Sequence, residues 1–133
     1  MRFMIMAITT NETAPTAPPK PEAFVAMQQY NEKAAKAGML LAAEGLTPKS
    51  VRVQFDGEQR SITDGPFTES KEMIAGFMII KVNSLQDAIE WVKRAPNVSP
   101  DGKGLVEIRK LMDIEDFGEG FTPNEEIAKV KFG

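Results

Sequence analysis

An α+β fold, with an antiparallel sheet covered by two helices, is what this chain predicts. Three observations carry the prediction. Phe3–Ile8 and Met73–Val82 are strand-length runs that are almost wholly apolar. Val51–Phe55 alternates polar and apolar residues with period two, the mark of a half-buried strand. Two other stretches, one after Pro21 and one after Ser84, repeat apolar residues at helical spacing.

Taken in order, Phe3–Ile8 opens the sheet. Thr9–Pro21 holds Pro15, Pro18, Pro19 and Pro21, so it is neither helix nor central strand. Pro21-Glu22 suits a first helical turn, Phe24, Met27, Tyr30/Asn31, Ala34 and Ala35 mark the inner face, and Gly38 ends the helix. Leu40–Ala43 is a short apolar run that closes at Glu44-Gly45. Asp56-Gly57 supplies a hairpin turn between Val51–Phe55 and Gln59–Thr63. Met73–Val82 follows, and Ser84 caps a second helix whose buried face is Leu85, Ala88, Ile89 and Val92 and which Pro96 stops. Gly104–Met112 is the last strand. Residues 1–112 therefore read as one domain. Residues 113–133 read as an acidic C-terminal extension with Phe117 and Phe121 as anchors, packed on the domain or on a dimer partner. A capping box at Thr122-Pro123-Asn124-Glu125 starts a short terminal helix.

This order matches a ferredoxin-like α+β sandwich with an extra β-hairpin. Two helices cover only one face of such a sheet, yet the two long strands are apolar on both. The second face needs a cover. A second copy of the same sheet, in a homodimer completed across a two-fold axis, is the economical one. The C-terminal extension folding over that face is the alternative.

Composition narrows the chemistry. The chain has no Cys and no His, which excludes disulfides, thiolate chemistry, Cys-ligated zinc and every His-based triad. Acid–base work falls to Asp, Glu, Lys or Tyr. A net charge of −3 with interspersed basic residues argues against nucleic acid. The longest apolar run is far below the ~18 residues of a membrane span, and the start lacks a signal-peptide pattern, so cytoplasm is the default. No nucleotide-binding fingerprint or metal-ligand pattern is present, so no cofactor and no metal are expected.

The most informative stretch is Asp64-Gly65-Pro66-Phe67-Thr68-Glu69-Ser70-Lys71-Glu72, which joins a tight-turn signal to a cluster of ionisable groups. Together with Gly76 in the following strand, this stretch resembles the signature of the DGPF group of the YCII-related proteins. The resemblance extends through Gly38–Leu41 with Glu44-Gly45-Leu46, Ser84-Leu85 with Ala88 and Trp91, Glu107-Ile108-Arg109, and Glu115-Asp116-Phe117-Gly118 to Phe121-Thr122-Pro123. It implies a dimeric α/β barrel, mostly bacterial members and no settled activity. Many members carry a His and an Asp near the inter-subunit cleft; this chain has no His, so that pair does not transfer. Some members occur beside sigma factors, which makes a regulatory interaction module docking through the acidic tail the alternative to a small-molecule-binding protein.

Candidate site residues follow. Asp64, on a rigid turn, and Glu44, at a strand end, are the candidate acid–base carboxylates. If they converge, one of their pKa values rises, and the geometry supports either carboxylate-mediated proton transfer without a redox cofactor or an oxygen-ligated cation. Turn chemistry alone explains Asp64 equally well. Tyr30, Arg60, Pro66, Phe67 and Glu69 are the candidate ligand contacts, with Tyr30 also read as a core residue with a hydrogen-bonded hydroxyl. Glu69 and Lys71 also fit a solvated charge cluster, Arg109 fits a polar face, an ion pair or an anion clamp, and Trp91 fits packing or a dimer contact.

Overall fold

The two long apolar runs lie side by side at the centre of a four-stranded antiparallel sheet. The computed structural model describes residues 1–10, 20–65 and 72–117. Along them run β1 (Arg2–Thr10), α1 (Pro21–Lys36), β2 (Leu40–Gly45), β3 (Val51–Asp56), β4 (Gln59–Asp64), β5 (Glu72–Lys81), α2 (Leu85–Lys93), β6 (Leu105–Lys110) and a 3₁₀ turn (Ile114–Phe117).

The main sheet has the order β2-β5-β1-β6, every neighbour antiparallel. Each helix bridges two parallel strands with a third strand between them, the split βαβ arrangement of a ferredoxin-like fold. The strands β3 and β4 form a separate two-stranded sheet. Its turn differs by one residue from the expected Asp56-Gly57. Asp56 pairs with Gln59, so the loop is Gly57-Glu58. Gly57 takes φ 61° while Glu58 stays at negative φ, the sign pattern of a type II′ turn with glycine leading.

Local signals explain the helix limits. Pro21 starts α1 without a side-chain cap, and Gly38 follows its end at φ 73°. Ser84 Oγ accepts the Asp87 N–H at 3.1 Å and caps α2. The helices pack on one sheet face around Phe3, Ile5, Tyr30, Met78, Ile80 and Ala88, with Met27, Trp91, Val92 and Ile108 at the margin. Phe24 and Leu85, expected on the inner helix faces, are exposed instead (64% and 50%). Each stands in the first turn of its helix.

After β6 the chain turns back on itself. Asp116 Oδ2 accepts the Asp113 N–H at 2.7 Å and a Lys110 Nζ proton at 2.9 Å, and these bonds hold its carboxyl below the usual range. Arg2 lies 3.6 Å from Asp113. The expected terminal helix at Thr122–Glu125 lies outside the described residues.

Ile80, fully buried, should therefore respond strongly to truncation. Ile80→Ala is expected to cost about 2–5 kcal/mol in urea unfolding, and Ser84→Ala about 1 kcal/mol through the lost cap. A near-silent Ile80→Ala would contradict the placement of the core.

Candidate functional site

The sheet pairing lines up side chains in rows, and their sizes fall steeply along the helix-covered face. One row, Ala43–Met78–Ile5–Ile108, fills the space beneath the helices. The next row, two residues along each strand, is Gly45–Gly76–Ala7–Val106. Two glycines and an alanine cannot fill the same height. A cavity of about 370 Å³ remains between this row and the helices, walled by Met27, Tyr30 and Asn31 of α1, Val92 of α2 and the following Ala95. That volume lies within the range of small-ligand sites.

Gly76 is fixed by backbone proximity. A Cβ there would sit 3.0 Å from the Glu44 carbonyl oxygen and 3.4 Å from the Gly45 Cα. Leu46 N–H donates to the Ala75 carbonyl at 2.9 Å, securing β2 against β5 at this end.

Above the row, the Tyr30 ring stacks on Trp91, with centroids 4.6 Å apart and planes 19° from parallel. The Tyr30 hydroxyl donates to the Trp91 carbonyl at 2.7 Å. Burial pushes the Tyr30 pKa up from 10.0 to about 12, against a smaller opposing effect of Arg94, whose guanidinium lies 5.4 Å from the Trp91 ring centre. At neutral pH the phenol is thus protonated and already committed as a donor. Two buried polar atoms have no hydrogen-bond partner among the described residues, Asn31 Oδ1 at the cavity wall and Trp91 Nε1 in the stack. An unmatched buried acceptor is costly unless a donor arrives.

Of the residues singled out in the sequence, Tyr30 and Glu44 border the cavity. Strand alternation sets the Glu44 side chain with Phe77 on the helix-free face, so the Glu44 backbone forms the wall. Asp64 ends β4 opposite Val51, and Arg60 lies on the same hairpin with its Nη1 donating to the Gly57 and Gln59 carbonyls. Neither lines this cavity. Pro66, Phe67 and Glu69 lie outside the described residues. Asn31, Ala7, Gly45 and Gly76 were not singled out as site residues. Their legible signal is a polar residue on an apolar helix face and small residues inside apolar strands.

Among the described residues no group of three or more acidic side chains is placed to hold a metal, and no helix is long and apolar enough to cross a membrane. The decisive comparison is with protein families, where the model of the YCII-related domain matches residues 1–115. The chain belongs to the YCII-related family. A relative in Rhizobium meliloti (strain 1021), described as an uncharacterized protein, is 31% identical over 87 residues, covering 64% of this chain and 69% of the relative. Within this YCII-related chain, the cavity over the Gly45–Gly76–Ala7–Val106 row brings Tyr30 and Asn31 of α1 over that small-residue floor.

Tyr30 is the only tyrosine in the chain, so alkaline absorbance titration isolates it. The midpoint in the folded protein is expected near 12 rather than 10.0. Because the folded state holds this proton more tightly, its contribution to stability is complete below pH 10.0 and is lost as pH rises toward 12. A midpoint near 10.0 would mean that the hydroxyl is solvated.

Proposed function

We propose that this protein binds a small, mainly apolar molecule in the cavity between helices and sheet, and that the ligand offers a hydrogen-bond donor to Asn31. The observation that carries this reading is the row Gly45–Gly76–Ala7–Val106, which leaves room where the adjoining row Ala43–Met78–Ile5–Ile108 is packed. Asn31 Oδ1, buried and unpartnered, supplies the polar preference. Binding comes before catalysis in this reading because the one phenol at the cavity is protonated and engaged, and the Glu44 carboxylate belongs to the other face. Proton transfer by Glu44 would require a ligand that reaches round the edge of β2.

The same reading places the protein in the DGPF group, on the Asp64–Glu72 motif, and makes it a homodimer in the manner of a dimeric α/β barrel. The support for the dimer is the helix-free sheet face. Its rows are Ala42–Ile79–Met4–Arg109 and Glu44–Phe77–Met6–Glu107, an apolar centre two strands wide with charges at the margins. An apolar middle within a polar rim is how interfaces are built.

A metabolite panel read by thermal shift, at concentrations near 100 times the dissociation constant, would stabilise the wild type by about 2.7 kcal/mol. Ala7→Phe fills the cavity from its floor and is expected to abolish the shift of every true ligand. Asn31→Leu should weaken donors by about 1–3 kcal/mol while sparing purely apolar hits. Hits that stabilise Ala7→Phe as well as wild type would remove the cavity from the function.

A further inference from the structure

The hairpin β3–β4 carries a second, independent feature. Directly opposed residues share a face, so Val51, Val53 and Phe55 lie with Asp64, Ile62 and Arg60, while Arg52, Gln54 and Asp56 lie with Thr63, Ser61 and Gln59. One face is thus apolar and the other polar. The apolar face is open: Val53 is 53% exposed, Phe55 69% and Ile62 72%. A two-stranded hairpin is marginal in water by itself, and this one is not hydrogen-bonded into the main sheet. Such a face needs a partner.

We propose that it packs on the same face of a second copy of this chain. The charges on the face select that occupant. Arg60 stands beside Phe55 at the turn end, and Asp64 stands beside Val51 at the base, with Ile62 midway between them on β4. A two-fold axis lying in the interface and crossing the strands at Val53–Ile62 reverses each hairpin relative to its mate. Val53 then meets Val53, Ile62 meets Ile62 and Phe55 meets Val51. Each Arg60 falls over the partner's Asp64, so two ion pairs form and no like charges meet. The alternative face-to-face axis, along the strands, sets Arg60 over the partner's Phe55 and Asp64 over the partner's Val51, so it forms no ion pair and leaves each charge facing an apolar side chain. Self-complementarity under one axis is the property an isologous contact requires.

The local geometry prepares the charges for this role. The Arg60 guanidinium lies 4.1 Å above the Phe55 ring, and its Nη1 is pinned by the Gly57 and Gln59 carbonyls at 2.7 and 2.8 Å. The Asp64 carboxylate makes no hydrogen bond or ion pair with any other described residue, while its backbone pairs with Val51. Two six-residue strands present less than the ~800 Å² per partner of a standard interface, so the contact acts as a clasp that adds to other dimer contacts or gives a weak dimer alone. The clasp goes beyond the ligand reading above and does not depend on it.

Sedimentation equilibrium of the full chain tests the clasp. Ile62→Lys, at the centre of the contact, is expected to raise the dimer dissociation constant at least about tenfold. Arg60→Asp and Asp64→Arg should each weaken the dimer. Combining them in one chain should restore it, and so should mixing the two single variants as a heterodimer. Circular dichroism of each variant checks that the fold is retained, and rescue by the double reversal cannot arise from misfolding. A wild type that stays monomeric at every concentration would overturn both the clasp and the sheet-face dimer, leaving the cavity reading intact. A dimer indifferent to Ile62→Lys, or one weakened by the single reversals and not restored by the double, would overturn the clasp alone.

Discussion

The stack of Tyr30 on Trp91 joins the two helices above the sheet, and the architecture of the site depends on that joint. The rings meet at 4.6 Å, and the Tyr30 hydroxyl closes the contact by donating to the Trp91 carbonyl. Two large side chains tied in this way set the height at which α1 and α2 ride over the strands. Beneath them, Phe3, Ile5, Met78 and Ile80 fill that height. Farther along the strands, Gly45, Gly76 and Ala7 do not, and the cavity is the difference. The same contact that stabilises the core therefore maintains the opening beside it.

Close packing makes such an opening informative. The opening reaches the surface, since Val106 in its floor is 45% exposed and Ala7 and Gly45 are exposed too, so solvent or a ligand meets this row where side chains elsewhere meet one another. A row with two glycines in the middle of apolar strands forgoes side-chain burial as well. Gly76 has a structural reason, since the Glu44 carbonyl lies where its Cβ would be crowded. Ala7, paired with Gly76 and Val106, continues the low floor. The neighbouring Asn31 Oδ1 has no hydrogen-bond partner among the described residues.

Much of this was legible in the sequence. Period two in Val51–Phe55, helical spacing after Pro21 and Ser84, and the two-faced apolar runs lead directly to the observed sheet and helices. The Tyr30 hydroxyl bond and core position follow from the usual behaviour of a half-polar aromatic. The cavity was not legible, because it depends on register. Only when Ala7 pairs with both Gly76 and Val106, and Gly76 with Gly45, do four unremarkable residues become one floor. The Asp64–Glu72 stretch marks the family and leaves a related gap. Its chemistry attracts notice, yet Asp64 belongs to a hairpin that is a sheet of its own, and whether Asp64 and Glu44 meet is a matter of tertiary placement that residue types do not encode. Glu44 illustrates the remaining gap, since alternation sends its carboxylate to one face and its carbonyl to the wall of the cavity.

A crystal structure of the protein under xenon pressure addresses the central claim most directly, because xenon settles in preformed apolar cavities and needs no knowledge of the natural ligand. Xenon density over the Gly45–Gly76–Ala7–Val106 row, below an intact Tyr30–Trp91 stack, is the expected result. A row with the helices collapsed onto it, or a space filled by ordered water alone, would contradict the cavity as an apolar binding site.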